Sequence, residues 1–329
     1  MKTSPAYLPQ RKKQALKKIV KEQSIFIKLN GTDQLHLKRF YKDNSDEPVF
    51  MVHGSIENGK IFYSASQKGL APYLAREGYD VFVADLRGRG MSKPAINKSS
   101  TFGLTETLSE ELPAFINKIK EIKGNVPQHW VAHSWAGVLF LAYFARNQDD
   151  VCAMRHAPRA KRHAQKVSSM VFFGAKRRIS VWSWKKFYMI NIMWIFVSRM
   201  IIKLMGYLPA KEIKMGSDNE TGKSHHETTV WLQTKRWLDW NDGFDYAEAL
   251  KKIKLPPVLY LTGAGDNVLG HPVDIKLLMD ETGVQDNQFY IVGKANNNLH
   301  DYGHIDILTH PDAVNDHYPF VLDWMKKNN

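Results

Sequence analysis

At 329 residues, 43% of them hydrophobic, the chain can bury a substantial core, which excludes disorder. The single cysteine, Cys152, excludes an internal disulfide framework and a cysteine-rich zinc module, and it suits a reducing, cytoplasmic compartment. Lys and Arg number 46 against 33 Asp and Glu, and the resulting charge of +13 leaves nucleic acid, an anionic membrane or an anionic substrate open as partners.

Residues 1–22 read as a basic arm with helical spacing at Leu16, Ile19 and Val20. No apolar h-region follows Met1, so no secretory signal is expected. Short Val-, Ile-, Phe- and Tyr-rich runs then predict strands at 24–28, 35–40, 48–52, 80–84, 129–132, 167–173, 257–261 and 288–292. Several are continuously apolar, as strands buried on both faces are. Between them, Leu70, Tyr73 and Leu74 predict a helix before Gly78. Leu108, Leu112, Phe115, Ile116, Ile119 and Ile122 predict a second, 136–146 a third and 314–326 a last one. Two early strands without helices, followed by strand–helix alternation, predict an α/β fold with a mostly parallel eight-stranded sheet. The alternation breaks over 176–250, which lacks clear strands and holds six of the nine tryptophans; it reads as an inserted helical cap. The expected organisation is therefore the arm (1–22), a first part of the core (23–175), the cap (176–250) and a second part of the core (251–329).

The strand at 129–132 runs into His133-Ser134-Trp135-Ala136-Gly137 and then a helix. A serine at so sharp a turn takes strained backbone angles and needs small residues two positions either side; here they are Ala132 and Ala136 rather than two glycines. Its Oγ is then held beside a helix N-terminus that favours developing negative charge. Three further elements follow strands: His53-Gly54-Ser55, Gly265-Asp266 and Tyr302-Gly303-His304. Ser134, Asp266 and His304 occur in the order nucleophile, acid, histidine.

On these motifs, together with Asp85-Leu86-Arg87-Gly88-Arg89-Gly90-Met91-Ser92, the sequence resembles the α/β-hydrolase superfamily over about residues 45–150 and 250–327. Gly78-Tyr79-Asp80-Val81 and Tyr302-Gly303-His304-Ile305-Asp306 resemble the acid-lipase and polyhydroxyalkanoate-synthase branches. Those synthases carry cysteine as nucleophile, so Ser134 favours ester hydrolysis over polymerisation. The resemblance implies that Ser134 attacks a carbonyl, His304 moves the proton and Asp266 orients the imidazole. It implies an oxyanion hole formed by the backbone N–H groups of Ser55 and Trp135. The superfamily's other acid position falls in Gly174-Ala175-Lys176-Arg177-Arg178, which has no carboxylate, so Asp266 stands alone. His53 reads as a structural loop residue, His133 as packing behind the turn, and Asp306 as the cap of the segment that follows it. His225-His226-Glu227 lacks the second histidine of a zinc motif, and neither a phosphate-binding loop nor a complete G-x-G-x-x-G is present, so no metal and no nucleotide cofactor is expected.

Residues 187–208 are the most apolar stretch, interrupted by Asn191, Ser198, Arg199 and Lys203, which line up as a narrow stripe on a helix. Two readings stand: a cap helix buried against the core, or an apolar lid that meets lipid or an acyl chain. Either points to a hydrophobic ester, hydrolysed by a lipase- or esterase-like enzyme of lipid metabolism. Acyl transfer, thioester cleavage and C–C bond hydrolysis use the same residues, and a non-catalytic binding protein is the remaining alternative. The charge is concentrated. Seven basic residues lie in 1–21 and thirteen in 153–211, with no acidic residue in either, and the remaining 26 face 33 acidic ones. A basic excess beside the most apolar segment suits an anionic membrane surface and a peripheral location rather than nucleic acid.

Overall fold

The computed structural model describes residues 20–147 and 167–329; most of the basic arm, Cys152 and the basic residues of 153–166 lie outside the described residues. Eight strands form the main sheet: β1 (Lys21–Lys28), β2 (Gln34–Tyr41), β3 (Pro48–Val52), β4 (Asp80–Asp85), β5 (Gln128–His133), β6 (Val167–Phe173), β9 (Val258–Gly263) and β10 (Asn287–Val292). Two shorter ones, β7 (Tyr207–Leu208) and β8 (Glu220–Thr221), form a separate ribbon. The sheet order is β1-β2-β4-β3-β5-β6-β9-β10. β1 and β2 pair antiparallel and β2 meets β4 antiparallel; every other pair is parallel.

The continuously apolar runs are explained by cover on both faces. Every residue of β3, β4 and β5 is buried. Successive side chains point to opposite faces. Phe50, Phe82, Trp130, Phe172 and Tyr260 pack into one core with the helices at 104–123 and Trp135–Arg146. Met51, Val83, Val131, Val171 and Leu259 pack into the other with the helices Leu70–Arg76 and Tyr318–Lys327. The chain is thus a three-layer sandwich, with β5 near the middle of the sheet.

Sequence and structure differ at some ends. β1 starts at Lys21, three residues early, because all eight of its residues pair with β2 while its exposed edge tolerates Lys, Glu and Gln. That shortens the expected arm. The last helix begins at Tyr318 rather than 314, after a separate 3-10 turn over Pro311–Asn315. Asp316, at the break, accepts hydrogen bonds from the Leu299 N–H, the Asn298 amide and the Tyr302 hydroxyl, so its carboxylate braces the loop that carries His304.

The helical insertion lies between β6 and β9. It contains the helix Trp184–Met205, the β7–β8 ribbon and the helix Gly222–Gln233. The ribbon leaves no mark in the sequence, since two-residue strands carry no period. It is fixed from the core: Glu220 is buried against Arg89 and accepts the Ile56 N–H. Asp218 accepts from Asn58 and from the Gly90 N–H. The apolar helix is not buried against the core. Only Ile190 and Ser198 are buried along it, while Trp184 is 75% exposed, Phe196 63% and Leu204 83%. Nor do its polar residues form one stripe: Ser198 turns inward and donates to the Met193 carbonyl, while Asn191, Arg199 and Lys203 are exposed. By length and composition this helix could cross a membrane.

Candidate active site

Ser134 sits between the C-terminal end of β5 and the helix Trp135–Arg146 with φ +54° and ψ −120°. That is a left-handed conformation which a non-glycine residue adopts only under constraint. Ala132 and Ala136 are fully buried on either side, so the alanines meet the need for small neighbours. Gly54 supplies the remaining space: a Cβ there would lie 2.9 Å from the Ser134 Cβ. The same close approach brings the next residue, Ser55, to the nucleophile, and Ser55 and Trp135 both line the cleft around Ser134.

Three loops at the C-terminal ends of β5, β9 and β10 bring Ser134, Asp266 and His304 together. The Ser134 hydroxyl donates to His304 Nε2 at 2.9 Å, and His304 Nδ1 donates to Asp266 Oδ2 at 2.6 Å. Burial, reinforced by the nearby Lys176 cation, lowers His304 to about 4, so the imidazole is a neutral base at working pH. Burial opposes ionisation of Asp266, but the hydrogen bond and charge of His304 outweigh it and hold the carboxyl below its ordinary value.

A second buried pair supports this chain. His133 Nδ1 meets Glu57 Oε2 at 2.7 Å, and His133 Nε2 donates to the His304 carbonyl at 2.9 Å. The same Glu57 oxygen accepts the Gly54 N–H at 2.9 Å. Burial would raise Glu57, but the charge and hydrogen bond of His133 prevail and hold it down to about 2. One carboxylate therefore ties together the Gly54 turn, the serine turn and the histidine loop. His53 has the structural role read from the sequence: it accepts the Leu86 N–H and donates to the Gly54 carbonyl. Asp306 does not cap forward. It is the first residue of a short helix, and its side chain reaches back to accept the Gly303 N–H at 2.6 Å, tightening the turn before His304.

The cleft above Ser134 is a cavity of about 1200 Å³, larger than the roughly 300–1,000 Å³ usual for small-ligand sites. Its far wall is the inner side of the apolar helix, with Met189, Met193, Val197 and Ile201. Such an arrangement can hold an apolar chain beside a hydroxyl prepared for deprotonation.

A family model for the alpha/beta hydrolase fold matches residues 47–175. The fold extends this likeness to nearly the whole chain. A bacterial membrane phospholipase A superposes with a TM-score of 0.57 at 16% identity, covering 93% of this chain and 87% of that one. The thioesterase domain from the curacin biosynthetic pathway gives 0.53 at 15%, covering 92% and 99%. A carboxylesterase of the thaumarchaeon Nitrososphaera gargenis gives 0.56 at 13%, covering 93% and 100%. The chain has the α/β-hydrolase fold, and its residues 47–175 match that family's model. No curated protein matches the sequence.

Two residues of the cleft are not evident from the sequence. Glu57 follows His53-Gly54-Ser55 with no local pattern to mark it. Lys176 lies in the loop after β6, where the superfamily pattern points to a carboxylate and none is found; its Nζ donates to Ser134 Oγ at 2.9 Å. A basic residue at a position where relatives hold an acid is the available signal. His225, by contrast, does not line the cleft; its Nε2 is engaged with the carbonyl of Trp194, which does.

Proposed function

We propose that this α/β-hydrolase is a serine hydrolase of hydrophobic carboxylic esters, lipase- or esterase-like. The observation that carries the reading is the unbroken hydrogen-bond chain from Asp266 through His304 to a strained Ser134 at the floor of an apolar cavity. Ser134 Oγ attacks the carbonyl carbon as His304 Nε2 takes its proton. The tetrahedral oxyanion is met by the N–H groups of Trp135 and Ser55. His304 then protonates the leaving alcohol, and water repeats the sequence on the acyl-enzyme. Asp266 holds the ring in the tautomer that leaves Nε2 free to accept.

The test is a series of p-nitrophenyl esters of increasing chain length, with fluorophosphonate labelling of the same samples. Wild type should hydrolyse and label, and Ser134→Ala should do neither; equal rates in the two proteins would overturn the reading. Added alcohol or thioester substrates distinguish hydrolysis from acyl transfer and thioesterase activity by their products.

We also propose that the enzyme works in the cytoplasm at the surface of an anionic membrane. The outward residues Trp184, Phe196 and Leu204 lie on a helix that also carries the exposed cations Lys185, Arg199 and Lys203. Binding to phosphatidylcholine vesicles should rise with added phosphatidylglycerol and fall with salt. Phe196→Asp with Leu204→Asp should abolish it; binding indifferent to lipid charge, salt and both substitutions would sink the idea.

A further inference from the structure

Lys176 is 5% exposed, lines the cavity and points its ammonium at the nucleophile. A buried ammonium has three N–H donors to satisfy. Ser134 Oγ is its hydrogen-bond partner in the described structure, and no ion pair joins it to a carboxylate there. The carboxylates that face it are Asp266 after β9, Glu57 after β3 and Asp274 on the helix Pro272–Glu281. Asp266 is committed to His304, Glu57 to His133 and Gly54, and Asp274 to Ser180 through Oδ1, while the buried Oδ2 of Asp274 has no hydrogen-bond partner among the described residues and makes no ion pair with Lys176. A buried, incompletely satisfied cation is costly where it is shielded from water. A negative group brought by the substrate removes that cost.

The geometry points to Lys176 as a subsite for an anionic oxygen group of the substrate, a carboxylate or phosphate within a few bonds of the scissile carbonyl. This rests on the ester-hydrolase reading and narrows it: the preferred substrate is an amphiphile, with an apolar chain along Met193 and Val197 and a charged group beside Ser134. Lys176 acts as a binding residue, distinct from the His304 base. Burial lowers its ammonium to about 8, so the subsite is charged below that pH and lost above it. His304 is already neutral throughout that range. Hydrolysis of anionic esters should therefore decline above pH 8 while that of neutral esters does not. A general base at Lys176 would give the opposite, a rise above pH 8 for both.

The test compares matched pairs. Mono-p-nitrophenyl glutarate against p-nitrophenyl pentanoate reports a carboxylate on the acyl side. A monoacylglycerol phosphate against the same monoacylglycerol reports a phosphate on the alcohol side. In wild type at pH 7 at least one anionic partner should be favoured in kcat/KM, chiefly through KM. Lys176→Met should reduce that anionic-to-neutral ratio about tenfold to a hundredfold, whatever happens to the neutral rate, and Lys176→Arg should restore part of it. A ratio untouched by Lys176→Met in both pairs would overturn the proposal, as would a wild type that favours both neutral partners. Calorimetric binding of the glutarate and phosphate compounds to Ser134→Ala, with and without Lys176→Met, measures the same preference without turnover. If wild type hydrolyses no ester, the hydrolase reading fails, and Lys176-dependent binding still decides the subsite.

Discussion

Replacing Glu57 by Gln keeps the side chain's shape and an acceptor for the Gly54 N–H but removes the charge opposite His133. A carboxyl that titrates at 4.5 when unfolded and about 2 in the buried pair contributes about 3 kcal/mol at neutral pH. Because the folded value is depressed, that contribution is complete above 4.5 and is lost as pH falls toward 2. Glu57→Gln should therefore be about 3 kcal/mol less stable than wild type at pH 7, with the gap narrowing to about 1 kcal/mol by pH 3. The scale agrees with the roughly 3–5 kcal/mol lost when one partner of a buried pair is removed. Urea unfolding followed by tryptophan fluorescence at the two pH values measures both numbers. A gap that is the same at pH 7 and pH 3, or absent at pH 7, would refute the assignment of this carboxylate as an ionised tie. Turnover should fall as well, since the same oxygen anchors the turn that presents the Ser55 amide.

Asp266→Asn should leave the fold intact and lower kcat on a neutral ester by about 10⁴, because an amide no longer fixes the His304 tautomer; a loss below tenfold would move the acid elsewhere. The acid limb of kcat/KM for a neutral ester should have its midpoint near pH 4, where buried His304 gains its proton, and a midpoint at the ordinary 6.5 would show that burial does not govern this histidine. Gly54→Ala places a Cβ 2.9 Å from the Ser134 Cβ. It should cost about 1–3 kcal/mol by overpacking and about 10²-fold in kcat by displacing the Ser55 amide, read by unfolding and by initial rates.

The sheet is legible in the sequence because strands covered on both faces are written as unbroken apolar runs. β3 and β6 are placed to the residue, since nothing polar interrupts them beyond a serine pair in β6. β1 is clipped because an edge strand with an exposed face reads as polar chain. The serine turn and Asp266 are legible because each lies within three residues of a strand's end, and His304, in the longer loop after β10, is legible from chain order and the Tyr302-Gly303 that precede it. Glu57 and Lys176 are not, because their partners lie 76 and 42 residues away. A buried ion pair across three loops leaves no period and no spacing. The apolar helix is legible as a helix but not in its surroundings: hydrophobicity gives the cost of exposure and does not say what covers the surface.

That helix is a partition one residue layer thick. Met193, Val197 and Ile201 face the cleft, while three positions later Phe196, Met200 and Leu204 face outward, each set repeating every fourth residue. The two sets are independent controls on the same enzyme. Substitution of an inward residue changes which chain fits, and shows in a homogeneous assay. Under the proposed membrane-surface reading, substitution of an outward residue should leave that assay alone and change only the rate on vesicle-borne substrate.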